Sequence, residues 1–67
     1  MGSVMTNDFI YNQVLKGALH RGASQTMSTN EAIQAVEKYK RGEFKRAVDL
    51  IEFHIKQAVK LTGKKKK

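Results

Sequence analysis

Ser28-Thr29-Asn30-Glu31-Ala32-Ile33-Gln34-Ala35-Val36-Glu37-Lys38-Tyr39-Lys40-Arg41-Gly42 is the stretch from which the fold follows. It opens and closes one helix. Ser28 and Glu31 have capping-box spacing, in which serine accepts the N3 amide and glutamate returns to the N-cap amide. Ala32, Ala35, Val36 and Tyr39 then recur at helical spacing, with Ile33 at the border of that face. Lys38, Lys40 and Arg41 suit the negative end of a helix dipole. Gly42 supplies the residue that can turn left-handed and stop the helix. Residues 23–27 are expected to be a linker or an extra turn at the start of this second helix.

Downstream, residues 43–61 are expected to form the longest helix. Phe44, Ala47, Val48, Ile51, Ile55, Ala58 and Val59 fall within an arc of about 120°, flanked by Leu50, His54 and Leu61, and Gly63 is the expected stop. Upstream, residues 8–20 form a first helix. Thr6 or Asn7 accepts its free amides, and Asp8 suits its positive end. Ile10, Tyr11, Val14, Leu15, Ala18 and Leu19 share half of its wheel, and Gly22 ends it.

No strict alternation and no Asn-Gly type hairpin signal competes with helix. The expected fold is all-α: a compact three-helix bundle over residues 7–63, closing in an antiparallel hairpin of helices two and three. Residues 1–6 are expected to be disordered, and Met1-Gly2-Ser3-Val4 before Met5-Thr6 reads as an expression remnant. Residues 64–67 are read as a flexible lysine tail. Between Ala32 and Ala58, small residues followed by Tyr39, Gly42, Phe44 and Ala47 resemble a single tetratricopeptide unit. A solenoid needs about three such units and helix one does not repeat the pattern, so the resemblance supports only a hairpin. A helix-turn-helix register starting at Ala18 and Gly22 fails at Ser28, where a polar cap falls on an apolar position.

The bulk numbers narrow the function. A chain of 67 residues buries only about 60% of its unfolded surface. It gains from tight helix packing or self-association. There is no cysteine, so a disulfide framework and a cysteine zinc site are excluded. No basic-then-apolar leader opens the chain and no apolar run reaches membrane-spanning length, so the expected location is cytoplasmic. His20 and His54 have no carboxylate at ligand spacing, and no metal or cofactor is implied. Neither a phosphate loop, an activated nucleophile nor converging paired carboxylates can be read, so no enzyme is expected.

Charge is the strongest deviation from an average domain. Thirteen Lys and Arg face six Asp and Glu, a net charge of +7. Without Lys64, Lys65, Lys66 and Lys67, nine cations face six anions, leaving a body of +3. A second cluster, Lys38, Lys40, Arg41, Lys45 and Arg46, sits at the corner between helices two and three. Lys56 and Lys60 extend it along helix three. Such clusters attract phosphate backbones through counterion release without reading bases.

Two phenylalanines fall off the core arcs. Phe53 lies among Arg46, Asp49, Lys56, Gln57 and Lys60. Phe9 lies among Asn12, Gln13, Lys16 and His20. Off-core aromatics on separate helices suit a protein interface, most simply a homodimer; Phe53 could also stack on a base.

Two functions follow. The first is a non-enzymatic helical protein that associates with DNA or RNA phosphates with little sequence preference. The alternative is a homo-oligomeric interaction or adaptor module, as in phage- or plasmid-type accessory factors, docking on a host protein or another acidic partner. Membrane association ranks last, because the apolar face of helix three is needed for the core.

Overall fold

The computed structural model describes residues 7–64, and the side chains of residues 7–63. The expectations for residues 1–6 and for the side chains of the lysine tail lie outside these residues. Three helices, α1 (Asn7–His20), α2 (Gln25–Arg41) and α3 (Ala47–Lys64), pack against one another as a compact all-helical fold. No strand occurs among the described residues.

Two glycines end helices as expected. Gly22 (φ 96°) and Gly42 (φ 73°) both adopt the left-handed conformation. Beyond Gly22, the Ala23 amide donates to the Ala18 carbonyl at 2.9 Å. Beyond Gly42, the Glu43 amide donates to the Lys38 carbonyl at 3.0 Å. These six-to-one closures satisfy carbonyls that a helix end would otherwise leave bare.

Three boundaries differ from the sequence reading. The N-cap of α2 is Ser24, not Ser28. Ser24 has extended backbone (φ −73°, ψ 159°), and its Oγ accepts the Met27 amide at 3.2 Å. The Ser24 amide in turn donates to Thr62 Oγ1 at 2.9 Å, tying the start of α2 to the last turns of α3. Residues 25–27 are thus the extra turn, and Ser28 and Glu31 are interior helical residues that face inward and are buried. The capping box fails because Glu31 is drawn across to α3.

The second correction is the start of α3. It begins at Ala47 rather than Glu43, with the Leu50 amide donating to the Arg46 carbonyl at 3.1 Å. Phe44 belongs to the connector, where its ring stacks on Tyr39 with centroids 5.2 Å apart. That contact holds the chain out of helix for a few residues after Gly42. Asp49 then falls in the first turn of α3, where a carboxylate is favoured. Third, Gly63 does not stop α3, which continues to Lys64.

The core is made largely of methyl groups. The buried apolar residues are Ile10, Val14, Ala18, Ala23, Ala32, Ala35, Leu50, Ile55 and Ala58. The alanines let helix backbones approach closely. Gly17 extends this on α1: a methyl group there would collide with Cδ1 of Ile55 and lie 3.1 Å from its Cγ1. Leu50, read as a flanking residue, is buried, whereas Val48 and Leu19, read as core, are 57% and 40% exposed. Val48 occupies the first turn of α3, where few residues remain to cover it.

Candidate nucleic-acid interface and apolar cleft

The α2–α3 side of the bundle carries a chain of contacts running from solvent to core. Lys38 on α2 extends its Nζ over the ring of Phe53 on α3, 5.3 Å from the centroid. Phe53, half exposed, meets the His54 ring edge-on with centroids 5.1 Å apart. His54 is buried, and its Nδ1 lies 2.7 Å from Oε1 of Glu31, also buried, on α2. A carboxylate only accepts hydrogen bonds, so a proton on Nδ1 makes this a charge-assisted contact. Nε2 of His54 and Oγ of Ser28 are buried without a hydrogen-bond partner among the described residues.

The other cations of the corner are exposed. Arg41 reaches Glu43 at 3.6 Å, and Arg46 reaches Asp49 at 3.5 Å, with all four side chains more than half exposed. Pairs of this kind are worth less than about 1 kcal/mol and exchange readily for another anion. Lys40, Lys45, Lys56 and Lys60 are exposed as well. Lys38, Phe53 and His54 are brought into one chain of contacts; the side chain of Lys64 and residues 65–67 lie outside the described residues.

Phe9 has different neighbours. It lines a cleft of about 260 Å³ between α1 and α3, together with Gln13, Val48, Ile51, Glu52 and Ile55. Phe9 is 40% exposed. Glu52 at the rim is paired with Arg21 of the α1–α2 connection at 3.2 Å.

The His54–Glu31 contact was not read from the sequence. Its partners stand 23 residues apart on different helices; Glu31 has the spacing of a cap residue, and His54 has no carboxylate at ligand spacing in the sequence. The available signal was position: Glu31 shares a helical face with Ala32, Ala35 and Ser28. The described residues include no group of three or more His, Asp or Glu able to hold a metal ion. No described helix is long and apolar enough to cross a membrane. The chain matches no family model, no curated protein and no solved structure.

Proposed function

We propose that this chain is a small, basic, non-enzymatic helical protein that associates with DNA or RNA phosphates, using an antiparallel α2–α3 hairpin and the lysine tail. The observation that carries this reading is Lys38 held over the half-exposed ring of Phe53. A lysine on a flexible stem must lose rotamer freedom to meet a phosphate. A cation–π contact worth about 0.5–1 kcal/mol at an exposed site orders that stem in advance. Phe53 acts here chiefly as a platform for a cation, with base stacking at its open edge secondary. Lys40, Arg41, Lys45, Arg46, Lys56 and Lys60 supply further exposed charge around the hairpin, and Lys64, at the end of α3, with Lys65–Lys67 after it adds charge whose attraction to phosphates needs no fixed geometry.

The test is fluorescence anisotropy of labelled duplex DNA and single-stranded RNA, titrated with the full chain and with a chain lacking Lys65–Lys67. Affinity should fall with salt at a log–log slope of about 0.7–0.9 per phosphate contacted. The shortened chain should keep a slope equivalent to several contacts. Loss of all binding with the three lysines would overturn the role given to the folded body.

A further inference from the structure

A second surface has a different character. We infer that the α1–α3 cleft is closed in solution by a second copy of this chain, independently of any nucleic-acid binding. Val48 is 57% exposed and Phe9 40% exposed at the mouth of this cleft, over the apolar side chains of Ile51 and Ile55. Val48, Phe9 and Ile51 are larger than most of the side chains in the core itself, which contains five alanines among nine buried apolar residues. A chain whose interior is so small gains from burying its larger side chains between copies.

Area and charge select the occupant. A stable interface takes about 800 Å² from each partner, roughly a sixth of the 4510 Å² surface of the chain. Helices of 14 and 18 residues are about 21 and 27 Å long, so a two-helix face supplies area of that order. The lining residues Phe9, Gln13, Val48, Ile51, Glu52 and Ile55 include no cation, and the one anion is already paired with Arg21. Among the lining residues an acidic partner finds no cation, and Arg21 at the rim is already engaged by Glu52. A second copy brings the same internally balanced rim, so two positively charged chains meet there with no cation among the residues that line the cleft. A twofold axis through the cleft places Val48 and Phe9 of each copy against the cleft of the other, a self-complementary contact.

Sedimentation equilibrium on the full chain tests this, over about 1 µM to 1 mM. The wild-type mass should rise from 7.6 kDa towards twice that value. Val48→Glu should remain monomeric across the range, with an unchanged far-ultraviolet circular dichroism spectrum, because the side chain is mostly exposed. Ile33→Glu, at a 50% exposed position on α2 outside the cleft, should dimerise as the wild type does. A wild-type chain monomeric throughout would overturn the proposal and leave the cleft to a different protein. A Val48→Glu variant that still dimerises, or an Ile33→Glu variant that does not, would place the contact elsewhere and overturn it as well.

Discussion

His54 Nδ1 and Glu31 Oε1 lie 2.7 Å apart between α2 and α3, with both side chains buried. Removing one partner leaves the other polar group buried without compensation. Such losses cost about 3–5 kcal/mol, against a total stability of roughly 3–9 kcal/mol for a domain of this size. Glu31→Ala and His54→Ala should each destabilise the fold by about 3 kcal/mol or more in urea unfolding. The double replacement Glu31→Leu with His54→Leu should lose much less than the sum of the single losses, because no polar group is orphaned. Single losses below about 1 kcal/mol would show that the contact contributes little.

The two serines at the start of α2 offer a sharp comparison. Ser24→Ala removes the hydroxyl that accepts the Met27 amide and should cost about 1 kcal/mol. Ser28→Ala removes a buried hydroxyl that has no partner among the described residues and should be neutral or stabilising. A capping box at Ser28 requires the opposite order, so one pair of thermal melts decides between the two starts.

Three glycines should respond differently to alanine. At Gly17 the new methyl meets buried Ile55. Overpacking costs about 1–3 kcal/mol, while helix propensity returns about 1 kcal/mol, so the net effect should be destabilising. Adding Ile55→Val should recover part of it, which is read as non-additivity in a double-mutant cycle. At Gly42 there is open space but φ is 73°, and strain alone should cost about 1 kcal/mol. Gly63 lies inside α3 with nothing within 4 Å. Gly63→Ala should be neutral or stabilising by up to about 0.5 kcal/mol, reduced from the interior value by fraying.

What local chemistry determines could be read directly from the sequence. Gly22 and Gly42 were legible as stops because each closes its own helix within six residues. Ser24 and Ser28 offer the same cap chemistry four residues apart, and the choice rests on Thr62 and His54, which lie on another helix. Phe44 was placed on helix three by its spacing, yet the stacking contact with Tyr39 keeps it in the connector. Phe9 and Phe53 were readable as off-core residues. Their neighbours were not, because which helix borders a given face depends on packing between helices.

On the α2–α3 side, the proposed binding assigns ring and cation separable contributions. Phe53→Leu keeps an apolar side chain but removes the π face beneath Lys38. It should weaken nucleic-acid binding a few-fold with the salt slope unchanged. Lys38→Gln should lower that slope by about 0.7–0.9, the equivalent of one phosphate. Anisotropy titrations at several salt concentrations separate the two. An identical change of slope in both variants would mean that Phe53 does not act by ordering Lys38.

Alanine scanning, the usual way to chart an interior, is silent at most of this one, since Ala18, Ala23, Ala32, Ala35 and Ala58 are already alanine. Here the informative direction is enlargement: each added carbon tests how far two backbones can be pushed apart. A stabilised version of this protein must therefore be sought at its helix ends and its exposed faces, because the interior has little bulk to rearrange and, at Gly17, little room to fill.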